Sequence, residues 1–137
     1  MSGLADPKIQ RFLDTKEIVV LATTKPDGAP MATAMWFLHD PATLTMMSVA
    51  NLQKVRNLRR DPRVSVVAEA GGGGQPIRGV AVDGRAEFLA DGPERRALVD
   101  RFHRKYADLE GYWRGHDMPA DRVMFRIVPA RVREWGL

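Results

Sequence analysis

The segment Met46–Arg63, MMSVANLQKVRNLRRDPR, constrains this chain more than any other. Its opening predicts a strand over Thr45–Val49. A turn at Ala50-Asn51 follows, and then a short helix from Leu52 to Arg60. Asp61-Pro62 stops that helix, because a residue before proline is pushed out of the helical region. Leu52, Val55 and Leu58 recur at helical spacing and predict a core-facing stripe. Lys54 and Asn57, three apart, share another side of the helix. Asn51 is the expected N-cap, with the free amides of the first turn pointing back toward Ser48. A strand, a hydroxyl, a helix start and a lysine in this order can hold a phosphate or another oxyanion. The same residues also describe a solvated basic helix with ordinary capping.

The 137 residues suit one domain with a real hydrophobic core, residues 1–137 together. No apolar run approaches the length of a membrane span, and MSGLADPKIQ holds no signal-peptide hydrophobic region. The chain has no cysteine, which excludes disulfides and thiolate chemistry and fits a cytoplasmic protein. A net charge of +4 and a pI near 9.8 invite a nucleic-acid reading. Yet acidic residues are interspersed almost everywhere. The one dense basic run, Lys54 to Arg63, carries no aromatic residue to stack on bases. A small anionic ligand accounts for that run as well as DNA does.

Pro7–Thr15 predicts a helix with Ile9, Phe12 and Leu13 on one face. Glu17–Lys25 and Pro30–His39 predict two strands joined by the turn Pro26-Asp27-Gly28. Asp40-Pro41 leads into a third strand, Thr43–Val49. Arg63–Ala70 is the fourth, with Val64, Val66 and Ala68 on one face. Gly71–Gly74 predicts a flexible connection, and no Gly-Lys-Ser/Thr follows it to make a phosphate loop. Ile77–Leu89 predicts a long strand in which Gly79 and Gly84 mark a bend or bulge. A helix starts at Pro93, with Leu98, Val99, Phe102 and Tyr106 as its apolar stripe. Asp108–Pro119 is a polar loop or short helix carrying Tyr112, Trp113 and His116. Arg122–Val128 is the last strand, and Ala130–Trp135 continues extended beyond Pro129. About six strands with short connections favour antiparallel pairing, closed as a small barrel with flanking helices.

The side chains offer no ready catalytic set. His39, His103 and His116 lack metal-ligand spacing, and no cysteine assists them. There is no Gly-x-Ser-x-Gly elbow and no pair of carboxylates that local spacing brings together. An enzyme built this way needs a bound cofactor to carry its chemistry. Trp36, Trp113 and Trp135 can wall a flat ring, or simply fill the core or a subunit interface.

Four motifs in this order resemble the split β-barrel flavoproteins related to pyridoxamine 5'-phosphate oxidase. They are the hairpin VVLATTKPDGAPMATAMWF, the strand-into-helix MMSVANLQKVRNLRRDPRVSV, the strand GVAVDGRAEFL and the closing strand RVMFRIVPARVRE. The resemblance covers nearly the whole chain. Within that family it is most similar to the branch of flavin- and deazaflavin-dependent oxidoreductases. It implies a mainly β fold, a split β-barrel with flanking helices. It also implies a homodimer with two cofactor sites at the subunit interface. Carried over by position, Ser48, Gln53, Lys54, Arg56 and Asn57 surround the cofactor phosphate. Ala32, Thr33 and Ala34 run beside the ring system, with Met47 near it. Trp113 and Trp135 reach the site from the other subunit.

The chain is shorter than true pyridoxamine 5'-phosphate oxidases and lacks their C-terminal substrate-phosphate motif, so oxidation of vitamin B6 is not expected. The expected cofactor is the deazaflavin coenzyme F420, with FMN as the alternative. Arg56, Arg59, Arg60 and Arg63 complement the acidic tail of F420. The expected activity is hydride transfer between reduced F420 and a conjugated or unsaturated small molecule. Two other readings stand beside it: a non-catalytic split barrel that holds FMN, haem or another planar anion, and nucleic-acid binding through Lys54–Arg63.

Overall fold

The first strand sets the pattern for the sheet. In a computed structural model, which describes residues 3–108, 113 and 115–137, Val19, Leu21 and Thr23 are buried while Ile18 and Val20 are exposed. That alternation is the period-2 signature of a strand with one face on a core. The elements in order are α1 (Pro7–Asp14), β1 (Ile18–Thr24), β2 (Pro30–Trp36), β3 (Leu38–His39), β4 (Leu44–Val49), α2 (Gln53–Arg60), β5 (Arg63–Gly72), β6 (Gln75–Phe88), α3 (Pro93–Lys105) and β7 (Arg122–Trp135). The seven strands form one sheet in the order β2-β1-β5-β6-β7-β4-β3. Every pairing is antiparallel. The sheet curls into the split-barrel fold read from the motifs.

Two apolar clusters hold it. The larger fills the concave side, where Leu21, Phe37, Leu44, Met46, Val66, Val82 and Phe125 meet Ile9, Phe12 and Leu13 of α1. The smaller joins Val99, Phe102 and Tyr106 of the α3 region to Leu38 and Met124. Both helical stripes therefore face where their spacing predicted.

The run Pro30–His39 is not one strand. It breaks at Phe37, whose backbone leaves the ladder for side chains of the α3 region. Phe37 N–H donates to the Tyr106 hydroxyl at 2.9 Å, and Phe37 O accepts from Lys105 Nζ at 2.8 Å. The partners lie 69 and 68 residues away, so local pattern could not show the break. This raises the strand count from about six to seven.

The tetraglycine is a tight hairpin turn, not a flexible connection. Gly73 and Gly74 have φ of 57° and 83°, between the paired residues Gly72 and Gln75. Two consecutive positive φ values are the requirement of a two-residue hairpin turn, and glycine meets it without strain. Gly84 sits at a bulge as expected: the β6–β7 register shifts between Asp83 and Gly84, and Pro129 lies opposite. The missing N–H of Pro129 is thus placed where the ladder is already irregular.

Candidate functional site

β2 is an edge strand, and its free edge approaches β4 without hydrogen-bonding to it. α2 leaves β4 through Ala50–Leu52 and packs on β1. β2, β4 and α2 carry the residues singled out in the sequence.

Lys54 is the decisive one. Its side chain is almost withdrawn from solvent, at 9% exposure. Its Nζ donates to Met35 Sδ at 3.1 Å, and no carboxylate among the described residues pairs with it. A thioether is a weak acceptor. Burial pushes the Lys54 pKa down from its ordinary value, because the charged form loses hydration without gaining a counter-ion.

Asn57 shares the Lys54 side of α2, as predicted, but is occupied. It is fully buried; its Nδ2 donates to Thr23 Oγ1 at 3.0 Å, and its Oδ1 accepts from Gln53 Nε2 at 2.8 Å. Gln53 Oε1 in turn accepts from Arg56 Nη2 at 2.7 Å. Asn57 and Gln53 therefore lock α2 onto β1 and orient Arg56. Ser48 is buried, with its hydroxyl on Val49 O at 3.0 Å.

Two sequence expectations fail on α2. Asn51 is not the N-cap: Leu52 occupies that position, no side chain caps the first turn, and Asn51 O is turned to Arg56 Nη1. Leu52 is not core either, being 45% exposed, whereas Val55 and Leu58 are buried. A cap residue has non-helical backbone, so the helical spacing that places Val55 and Leu58 does not extend back to it.

The ring-side residues divide by strand parity. Ala32 and Ala34 are exposed on the outer face of β2, while Thr33 is partly buried on the opposite face. Met47 packs in the α3 cluster, on the other face of β4 from Ser48. Trp36 stacks on Tyr106 at 4.8 Å, Trp113 meets His103 edge-on at 5.2 Å, and Trp135 lies against Gly79. Tyr112 falls outside the described residues. Met31 and Met35, which face α2 from β2, were missed by sequence reasoning. Their i, i+4 spacing along a strand was the available signal.

The basic run is differentiated. Arg63 is neutralised by Asp61, whose carboxyl the guanidinium holds down to about 2. Arg59 lies over the Phe88 ring at 4.1 Å, and Arg60 donates to Thr24 O. Arg56, Arg59 and Arg60 have neutral hydrogen-bond or ring partners. Among the described residues no group of histidines and carboxylates could hold a metal ion.

A buried, unneutralised lysine at an uncapped helix start fits the phosphate of a nucleotide-like cofactor. A family model described as pyridoxamine 5'-phosphate oxidase matches residues 5–136. The chain belongs to the pyridoxamine 5'-phosphate oxidase family. It is similar to a conserved hypothetical protein from Mycobacterium tuberculosis, at 34% identity over 98% of this chain and 84% of that one, with a TM-score of 0.81. A FAD-binding protein from Mesorhizobium loti is 26% identical over 93% of this chain and 89% of that one, with a TM-score of 0.72. An F420 reductase is 28% identical over 85% of this chain and 88% of that one, with a TM-score of 0.65. The motifs quoted from the sequence thus identify the family. No described helix is long and apolar enough to cross a membrane.

Proposed function

We propose that this chain is a cytoplasmic F420-dependent oxidoreductase that acts on a conjugated or unsaturated small molecule, working as a homodimer. The observation that carries the reading is Lys54, a nearly buried ammonium with only a thioether to bond. A cation held at that desolvation cost is best accounted for by an anionic group that completes the site.

Lys54, the Ser48 hydroxyl and the first-turn amides of α2 would hold the cofactor phosphate, with Gln53 and Asn57 fixing the helix. Arg56, Arg59 and Arg60 supply charge for an acidic tail. Ala32, Thr33 and Ala34 present small side chains and a free strand edge along which a flat ring can lie closely, with Met47 behind it. Bound reduced F420 supplies a hydride. In this reading solvent or a group outside this set supplies the accompanying proton. Proximity and orientation do the rest of the work.

The 28% identical F420 reductase supports the deazaflavin and the 26% identical FAD-binding protein supports a flavin such as FMN. Titration of the purified apo-protein with F420 and with FMN, followed by tryptophan fluorescence, separates them. Micromolar or tighter binding of F420, lost in Lys54→Met, is the expected result. Preference for FMN moves the protein to the flavin branch. Tight binding without reduction of any acceptor makes it a binding module, and binding of neither cofactor overturns the proposal.

A further inference from the structure

A cavity of about 300 Å³ lies between α3 and the β7-β4-β3 end of the sheet. Two arginines bridge α3 to the sheet there. Arg126 of β7 donates to Glu94 Oε1 at 2.6 Å, and Arg101 of α3 donates to His39 O at 3.1 Å. Glu94 and Arg101 are seven residues apart, about 10 Å along a helix. Between these bridges the cavity is lined by Ala97 on α3 and by Ala42 in the β3–β4 turn, both too short to fill the space.

The sheet side of the cavity is polar at one point. Thr45 lines it from β4, on the face that carries Met47 toward α3. Thr45 is only 3% exposed, and its hydroxyl has no hydrogen-bond partner among the described residues. A hydroxyl withdrawn from water without a partner costs free energy that a ligand can recover.

The other polar groups are engaged. The Asp40 carboxylate accepts from Ala42 N–H at 2.8 Å and from Thr43 N–H at 2.9 Å. Glu94 is paired with Arg126, and Arg101 is held by a carbonyl. Asp40, Glu94, Arg101 and Arg126 are the charged residues lining the cavity, and their formal charges cancel.

We propose that this cavity binds a small uncharged aromatic molecule with one hydroxyl or carbonyl group, which Thr45 recognises. The class follows from the lining. Cancelled charges give no net attraction to an anion or a cation. Ala42, Ala97 and Leu98 offer apolar contact, and guanidinium groups attract the face of a ring. The volume stands at the lower end of ligand cavities and suits a single ring. Thr45 then supplies the one hydrogen bond that fixes the ring's orientation. The site shares no residue with Lys54 and α2, so it stands whether or not the cofactor reading does.

The test follows para-fluorobenzyl alcohol by fluorine NMR as the full chain is added. Saturable binding with a Kd of about a millimolar or tighter is expected. Para-fluorotoluene, which lacks the hydroxyl, should bind about fivefold more weakly, the worth of one neutral hydrogen bond. Para-fluorobenzoate, an anion of similar size, should not displace the alcohol. Thr45→Val keeps the branched shape; it should weaken the alcohol about fivefold and leave the toluene unchanged, a selective loss that general damage to the fold does not produce. Ala97 is exposed on α3, so Ala97→Met plugs the cavity without entering the core, and binding of both compounds should be lost. Absence of saturable binding, equal affinity for alcohol and toluene, displacement by the benzoate, or full binding by Ala97→Met would each overturn the proposal. So would a Thr45→Val protein that keeps the parent's preference for the alcohol.

Discussion

Lys54 and Asn57 lie three residues apart and share one helix face, as their spacing predicts. Their environments differ in kind. Asn57 is saturated by Thr23 and Gln53, whereas Lys54 has a thioether only. Spacing along the helix revealed the shared face; the difference depends on Thr23, 34 residues away in the chain. Removing each should therefore have opposite effects. Lys54→Met keeps the stem that packs in the site and discards a desolvated charge. The apo-protein should gain about 1 kcal/mol, read as a melting temperature higher by roughly 2–5 °C, while phosphate-bearing cofactors lose about tenfold or more in affinity. Asn57→Ala leaves the Thr23 hydroxyl and the Gln53 amide without their buried partner. It should cost about 2–3 kcal/mol in urea unfolding. A Lys54→Met protein that is less stable than the parent would mean that the Met35 contact outweighs the desolvation of the ammonium.

Elements were legible where their own residues decide them. α1 and α3 face inward on stripes visible at helical spacing, and β1 alternates as written. The break at Phe37 was not legible, because it is made by Tyr106. That hydroxyl accepts from Phe37 N–H and bonds Glu17 O at 2.7 Å and Phe37 O at 3.2 Å. Tyr106→Phe should preserve the ring stack with Trp36 yet strand the buried Phe37 N–H. A loss of about 1–3 kcal/mol in chemical denaturation is expected. The β3–α1 contact adds a pH dependence. His39 bonds Gln10 and Asp14, and its pKa is lowered chiefly by burial, with Lys105 and Arg101 adding to that and Asp14 opposing it. The unfolded chain takes up this proton near pH 6.5, while the folded chain resists until lower pH. Stability should therefore fall as pH drops below about 6.5, the unfolded value, and His39→Gln should flatten that slope. An equal slope in the variant would assign the effect to other groups.

At the scale of the molecule, part of one sheet face is left bare. α3 covers the outer face at Trp36, Met47 and Met124, but not along β1 and the rest of β2. Ile18 and Val20 remain 48% and 37% exposed, opposite Trp36 and Ala34 in the register, and Ala32 pairs with Ala22 on the same face. An apolar strip next to a free strand edge is an unstable surface for a monomer in water. A second copy of the chain is the occupant that the proposed function requires, and it would bring its own residues beside Ala32 and Ala34. Val20→Lys puts a charge in the centre of this strip without touching the inward-facing core, since Val20 points away from it. The parent should run as a dimer in light scattering and the variant as a monomer. The decisive comparison is cofactor affinity. With Lys54, Ser48 and α2 intact in each subunit, a monomeric Val20→Lys protein should still lose at least about tenfold in F420 affinity if the partner completes the site. Undiminished binding by the monomer would show that one chain builds the whole pocket and that the strip serves assembly alone.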